Sequence, residues 1–406
     1  MEKIYGILGC GISYTRSPEL HANLGGYSYE IFDVKSDALA DFFARKQFAG
    51  INVTIPYKSE CLKYLDEISP EAKEIGAVNT IVNQDGVLKG YNTDYFGFIE
   101  QAKCLKIDYL GKVALVLGNG GASKAVIKAL VDLGVKEVLV CSRNGEINYN
   151  NVYKKASHAE IVVNATPVGN SSVDCLVDLK KFSHLKGVLD LVYTPLRTKL
   201  VLDALSLGVP ALGGATMLVQ QAVKSSKLFV GERGQEQKAK ELYDNLVTNL
   251  GNLVLIGMAG CGKSSVGKLL AEQTGRQFID IDLEVEKLAG MSIPKIFENF
   301  SERRFRELES EAIAKNYLKN GLVISTGGGA VLSSTNRDML RANGKVVFIK
   351  RPISECDFRG RPLFENGGAE QVYFKRLPLY SQTADLEVDN NGTISECAQK
   401  IKENIL

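Results

Sequence analysis

Two short stretches hold residue types that can move a proton or a phosphoryl group. In Asn52-Val53-Thr54-Ile55-Pro56-Tyr57-Lys58 a strand-like alternation delivers a lysine just past a proline, and Asn92-Thr93-Asp94 follows a turn at Gly90. Reduction of a ketone needs a donor that protonates oxygen as hydride reaches carbon; a lysine held by an aspartate supplies that proton. Taken singly, Lys58 reads as a solvated surface residue and Asp94 as a helix cap. The second stretch, Gly257-Met258-Ala259-Gly260-Cys261-Gly262-Lys263-Ser264, fits G-x4-G-K-S between a strand and a helix. Backbone N–H groups of such a loop cradle phosphates, the lysine reaches the β- and γ-phosphates, and the serine hydroxyl ligates Mg²⁺. Gly260, Gly262, Lys263, Ser264 and Ser265 are therefore the nucleotide-binding candidates, with a nucleoside triphosphate as the expected ligand.

The elements that must place these groups follow one pattern, an apolar strand, a glycine turn and an amphipathic helix. Val113–Leu117 leads into Gly118-Asn119-Gly120-Gly121-Ala122-Ser123, then into a helix with Ala125, Val126, Ala129, Leu130 and Leu133 on one face. A second strand, Val138–Cys141, completes a βαβ unit. Gly118, Gly120, Gly121 and Ala122 let the backbone approach a pyrophosphate at the helix N-terminus. The second strand ends Cys141-Ser142-Arg143-Asn144, with a guanidinium where an NAD site usually places a carboxylate. Arg143 can pair with a 2′-phosphate, which favours NADP(H) over NAD.

In the second half the phosphate acceptor is read from Phe278-Ile279-Asp280-Ile281-Asp282, a strand end with two carboxylates two residues apart and thus on one face. One can support the metal's water shell while the other takes the proton of an attacking hydroxyl. Arg306, Arg361 and Arg376 are candidate anion clamps, and Gly327-Gly328-Gly329 offers a backbone nest. Arg306 and Glu309, three apart on a helix, could equally pair at the surface.

The 406 residues suggest two or three domains at about 150 residues each. With 49 basic and 47 acidic residues, the net charge of +2 gives no basis for a nucleic-acid or anionic-membrane partner. The eight cysteines form no C-x-x-C pair, which argues against a disulfide scaffold or structural zinc and for a reducing compartment. No basic-then-apolar leader is apparent, and Leu200 to Val223, interrupted by Asp203, Pro210 and glycines, reads as helix, strand and turn rather than a membrane span. The expected location is cytoplasmic. Gln235 to Leu246 reads as a charged helix, and the polar stretch Val247 to Asn252 as the domain boundary.

Beyond these readings, an ordered set of motifs resembles the shikimate dehydrogenase family over about residues 1–247. It comprises Thr15-Arg16-Ser17-Pro18, the Asn52–Lys58 stretch, Gly76-Ala77-Val78-Asn79-Thr80, Asn92-Thr93-Asp94, the Gly118–Ser123 turn, Asn164-Ala165-Thr166-Pro167-Val168-Gly169 and Met217-Leu218-Val219-Gln220-Gln221. The resemblance implies NADPH-dependent reduction of 3-dehydroshikimate to shikimate. It places Lys58 and Asp94 as the catalytic pair and Thr15, Ser17, Thr54, Asn79, Tyr193 and Gln221 around the substrate. It also implies a substrate domain of residues 1–97, completed by 210–247, and an inserted Rossmann-like NADP domain, 98–209. Tyr14-Thr15 replaces the usual His-Ser, and the stretch between Arg143 and Asn164 is shorter than the family norm, so a helix flanking the adenosine end is expected to be missing. A quinate-active, NAD-preferring dehydrogenase is the alternative within this fold.

A second set resembles shikimate kinase over about residues 252–406: Asp280-x-Asp282, Phe305-Arg306-x-x-Glu309, Gly327-Gly328-Gly329-Ala330-Val331, Arg361-Pro362-Leu363 and Arg376-x-Pro378-Leu379-Tyr380. It implies transfer of the ATP γ-phosphoryl group to the 3-hydroxyl of shikimate. Asp282 would bind and help deprotonate that hydroxyl, and Ser264 and Asp280 would serve Mg²⁺. Arg306, Gly328 and Arg376 would hold the substrate, and Arg361 would approach the phosphate from a lid. The expected fold class is α/β throughout, ending in a P-loop domain with a parallel sheet. The expected function is a bifunctional enzyme; a catalytically inactive half serving as sensor or scaffold is the other reading.

Overall fold

Short apolar runs closed by glycine or a polar residue become the strands of three sheets. The structure is a computed structural model that describes residues 4–12, 15–24, 26–231, 235–358 and 368–405. The chain divides into two compact units. One comprises Met1–Asn170, Asp174–Tyr193 and Asp203–Leu246, the other Ser171–Val173, Thr194–Leu202 and Val247–Leu406.

The first unit holds two sheets. In the amino-terminal one, β1 (Tyr5–Gly9), β2 (Tyr29–Asp33), β3 (Gly50–Val53), β4 (Glu67–Ile68), β5 (Thr80–Gln84) and β6 (Val87–Tyr91) run in the order β2-β1-β3-β5-β6-β4. β1 pairs in parallel with β2 and β3, while β5 is antiparallel to β3 and β6. The other is the parallel sheet expected of a βαβ chain, formed by β7 (Val113–Leu117), β8 (Glu137–Cys141), β9 (Ile161–Asn164), β10 (Gly187–Asp190) and β11 (Ala211–Leu212). Leu117 registers with both Cys141 and Asn164, so the turns after these three strands open at one edge. The expected helix, strand and turn between Leu200 and Val223 are present as Lys199–Ser206, β11 and Ala215–Val230.

Glycine decides how the helices meet. A Cβ at Gly97 would lie 2.7 Å from the Met217 carbonyl oxygen and 3.1 Å from Gln221. Its absence lets the Thr93–Cys104 helix close onto the Ala215–Val230 helix. The cap of the former is Asn92, which accepts from Tyr95 N–H at 3.2 Å, and not Asp94, which lies inside the first turn. The strand pattern read through Lys58 stops at Val53; Thr54 begins the turns that carry the lysine.

The second unit is built on the parallel sheet β13-β14-β12-β15-β16, with β12 Asn252–Ile256, β13 Gln277–Asp280, β14 Leu322–Ser325, β15 Gly344–Lys350 and β16 Leu386–Asp389. The helix read as Gln235 to Leu246 runs to Leu250, and β12 starts at Asn252. Leu242, Leu246 and Leu250 recur at helical spacing and are all buried, so the apolar face continues past the expected stop. Asn252 is buried as a latch, its amide donating to the carbonyls of Tyr317 and Lys319 and accepting from Leu322 N–H. No helix among the described residues is long and apolar enough to cross a membrane.

The segment Thr194–Leu202 is an integral part of this unit. Leu202 is 2% exposed within the cluster that includes Val254, Ile256 and Phe348. Arg197 grips Asp385 through both carboxylate oxygens, at 2.9 and 3.2 Å, and its Nε donates to the Arg341 carbonyl at 2.9 Å. Its N–H donates to the Ala342 carbonyl at 2.8 Å. Loss of the guanidinium would leave a largely buried carboxylate with the Val346 N–H but no cation, and the Arg341 carbonyl without this donor. Arg197→Ala is therefore expected to destabilise the second unit by about 3 kcal/mol in chemical unfolding; a change below about 0.5 kcal/mol would show the fork to be a surface ornament.

Candidate functional site

In the first unit the turns after β3, the loop before β5 and the start of the Thr93–Cys104 helix converge on one cavity of about 260 Å³. Its walls include Thr15, Ser17, Thr54, Lys58, Asn79, Asp94, Ala122, Tyr193 and Gln221, which are nine of the expected site residues from seven separate stretches of chain. Lys58 Nζ donates to Asp94 Oδ2 at 2.5 Å. With side chains 19% and 12% exposed, the two are shielded enough for their attraction to matter, yet the lysine still opens on the cavity. Thr15 and Ser17 hydroxyls lie 3.2 Å apart, Gln221 Nε2 is tethered to the Leu218 carbonyl at 2.8 Å, and burial raises the pKa of Tyr193.

The glycine turn sits beside this pair. A Cβ at Gly121 would be 3.8 Å from Lys58 Cδ, so the start of the Gly121–Asp132 helix faces the lysine stem. Gly118 has φ of +105° and its N–H donates to the Cys141 carbonyl at 2.7 Å, a conformation that calls for glycine. The space where a Gly120 side chain would stand is open, and the first helical turn carries no acidic residue. These features fit a pyrophosphate. Ser142 is buried in the turn after β8, and Arg143 stands exposed there, which fits a phosphorylated ribose. Between Arg143 and Asn164 the one helix is the short Val152–Ala156.

In the second unit the phosphate loop closes at Gly262 with φ of +99°, and the Lys263–Thr274 helix follows. A Cβ at Gly260 would fall within 2.5 Å of Asp357 N, so this glycine admits a close backbone approach. Lys263 is buried and donates to the carbonyls of Gly257 and Met258 at 3.0 and 2.8 Å, folded over its own loop. Ser265 occupies the first turn of the same helix. Ser264 Oγ donates to Asp280 Oδ2 at 2.6 Å. Among the described residues no cluster of three His, Cys, Asp or Glu could hold a metal. A hydroxyl and one carboxylate fit Mg²⁺, which keeps waters and leans on substrate phosphates.

The two aspartates do not share a strand face. β13 ends at Asp280, which caps the Ile281–Ala289 helix by accepting from Asp282 N–H at 3.0 Å. A capping carboxylate starts the helix at the next residue, so Asp282 points from its first turn instead. A Cβ at Gly327 would lie 2.8 Å from Asp282 Oδ1 and 2.6 Å from Glu309 Oε1, so both carboxylates face the glycine nest. Arg306 and Glu309 are joined at 2.9 Å, and the pair is not a surface one, since the Glu309 side chain is 1% exposed. Burial pushes the Glu309 carboxyl up, with Arg306 opposing; burial also opposes the Arg306 charge, but Glu309 and Glu302 outweigh it and raise its pKa. Arg306 lies against Gly329, where any Cβ would collide with the guanidinium. Arg376 is buried, and Tyr380, one turn on, donates to the Gly328 carbonyl at 2.5 Å. Arg361 lies outside the described residues.

Sequence reasoning missed Asn52, Gly214, Leu191 and Met217 as cavity walls. Asn52 carried a usable signal, an amide between Ile51 and Val53 on a strand whose residues are all buried.

Comparison with known proteins divides the chain in the same way. The family model for the shikimate dehydrogenase substrate binding domain matches residues 7–81, and that for shikimate kinase matches residues 259–406. The chain is 35% identical over 271 residues to the shikimate dehydrogenase (NADP(+)) of Clostridium perfringens strain SM101, covering 60% of this chain and 98% of that relative. Among solved structures, shikimate 5-dehydrogenase from Thermus thermophilus in complex with NADP(H) and shikimate aligns with TM-score 0.53 and 34% identity, over 59% of this chain and 99% of that one. A chorismate mutase/shikimate 5-dehydrogenase fusion protein from Clostridium acetobutylicum aligns with TM-score 0.56 and 30% identity, over 61% of this chain and 97% of that one.

Behind the cavity, His21 is 1% exposed and stacked on Tyr29, with ring centroids 4.1 Å apart and planes at 7°. Burial lowers its pKa from 6.5 to about 3. The unfolded chain therefore takes up a proton near pH 6.5 that the folded chain refuses until about pH 3. This contribution is complete above pH 6.5 and is lost as pH falls through that window. In chemical unfolding, the stability gap between the native chain and His21→Gln is expected to narrow by about 2 kcal/mol from pH 7 to pH 5. A gap that stays constant would mean that the imidazole is not held neutral.

Proposed function

Because the chain belongs to the shikimate dehydrogenase family over its amino-terminal part and carries a shikimate kinase domain behind it, we propose that one polypeptide reduces 3-dehydroshikimate to shikimate and then phosphorylates shikimate at the hydroxyl just made. The observation that carries this reading is the Lys58–Asp94 pair on the wall of the cavity that also gathers Thr15, Ser17, Asn79, Tyr193 and Gln221. NADPH supplies hydride in the first unit, and ATP with Mg²⁺ supplies the phosphoryl group in the second.

In the first unit Lys58 delivers a proton to the ketone oxygen while the carbon receives hydride, so a neutral alcohol forms and no alkoxide is left in the cavity. Asp94 keeps the ammonium aimed at the cavity through their hydrogen bond. The hydroxyls of Thr15, Ser17, Thr54 and Tyr193 and the amides of Asn79 and Gln221 hold the ring substituents, fixing which carbon faces the Gly118–Ala122 turn. Arg143 and Ser142, at the end of β8, favour the phosphorylated dinucleotide.

In the second unit the attacking hydroxyl rests on Asp282, which takes its proton as the new O–P bond forms and the bond to the leaving phosphate breaks. Arg306, braced by buried Glu309, and Arg376 hold the substrate carboxylate, and Gly328 contributes backbone contact. Gly260, Gly262, Lys263, Ser264 and Ser265 would hold the nucleotide, Ser264 and Asp280 would serve Mg²⁺, and Arg361 is assigned to the transferred phosphate.

Each reaction has its own proton carrier, so the two activities are expected to be lost separately. Lys58→Ala should lower the reduction rate at least about 100-fold and leave shikimate phosphorylation unchanged, and Lys263→Ala should do the reverse. Coupled spectrophotometric assays of both reactions on both variants test this; either variant losing both activities would contradict independent sites.

A further inference from the structure

Tyr29 opens β2 and does not line the cavity, yet it bonds a group that does. Its hydroxyl donates to Asn52 Oδ1 at 2.7 Å. We propose that Tyr29 is a positioning residue for the substrate cavity, setting the orientation of Asn52 and, through it, of Asn79. The inference rests on reading the cavity as the shikimate site.

Asn52 Nδ2 donates to the Asn79 carbonyl at 3.3 Å and to Thr80 Oγ1 at 3.1 Å. Its amide can therefore stand only one way round, with Oδ1 toward Tyr29. Asn79 Oδ1 in turn accepts from Thr93 N–H at 2.6 Å and from the hydroxyls of Thr93 and Thr80 at 3.1 and 3.2 Å. With both Asn79 oxygens held, its Nδ2 is left to donate to a ligand in the cavity it lines. Thr93 immediately precedes Asp94, so the same network borders the proton-donating pair without bonding to it.

Tyr29 is itself held in place. Its ring lies flat on His21, whose Nδ1 is 2.6 Å from the Tyr27 hydroxyl and whose Nε2 is 3.5 Å from Ser225 Oγ. Without the Tyr29 hydroxyl, Asn52 Oδ1 would be a buried acceptor lacking its donor, and a flip of the amide would set oxygen against the Asn79 carbonyl. The loosened Asn79 would weaken ligand binding, while Lys58 and Asp94 would stay paired.

Steady-state oxidation of shikimate with NADP⁺ by the full chain tests this. Tyr29→Phe, which keeps the ring and its stacking, is expected to raise KM for shikimate roughly five- to tenfold, with kcat within about twofold of native and KM for NADP⁺ unchanged. In an Asn79→Ala background the same substitution should add almost nothing, since the group being positioned is gone. An unchanged KM for shikimate, a parallel change in kcat and in KM for NADP⁺, or a full additional loss in the Asn79→Ala background would each overturn the proposal. A native chain inert towards shikimate would instead remove the reading of the cavity on which it rests.

Discussion

A lysine ammonium and a carboxylate, both four-fifths or more withdrawn from solvent, set the terms for the rest of the first unit. Such a pair offsets its own desolvation only with close geometry and further hydrogen bonds, and either partner alone would be an uncompensated charge. The chain meets that demand from two sides. β3 ends at Val53 so that the following turns swing Lys58 inward, and Asn92 caps a helix whose first turn presents Asp94. Gly97 then lets that helix approach the Ala215–Val230 helix, which carries Gln221 to the same cavity. The glycine turn before the Gly121–Asp132 helix completes the arrangement by placing open backbone, not side chain, beside the lysine stem.

The second unit solves a similar problem with other means. Its carboxylates face a glycine nest that leaves no room for a Cβ, and Arg306 is braced by the buried Glu309. Asp280 has a double part, capping a helix and accepting from Ser264, so helix start and phosphate-loop serine are tied to one side chain. The kinase family model begins at residue 259, yet the unit's core also takes Leu202 and its clamp takes Arg197. The compact unit is thus wider than the stretch of sequence that bears the motifs.

The parts legible in the sequence are those decided locally. Glycine turns after apolar strands, the phosphate loop and the two α/β halves follow from spacing alone, because strand period, turn chemistry and helix face are short-range matters. Residues such as Lys58 and Asp94, 36 positions apart, acquired meaning only as members of an ordered motif set. The misread features turn on contacts between distant segments or on a competing local bond. Asp282 left the strand because Asp280 capped a helix; Glu309 was buried by the nest across from it; the helix ending at Leu250 outlasted its polar residues because three leucines kept its face covered. Asn52 and Tyr29 lie in different strands, and nothing short of the β1-centred sheet brings them together.

The central claim is that an oxygen hydrogenated by one unit is the oxygen phosphorylated by the other. Incubating the pure chain with 3-dehydroshikimate, NADPH, ATP and Mg²⁺ and following the products by mass spectrometry measures it directly. The account predicts shikimate 3-phosphate, with one NADPH and one ATP consumed per molecule formed. NADPH consumption that stops at shikimate while ATP is untouched, or a phosphorylated product with its ester elsewhere on the ring, would contradict it.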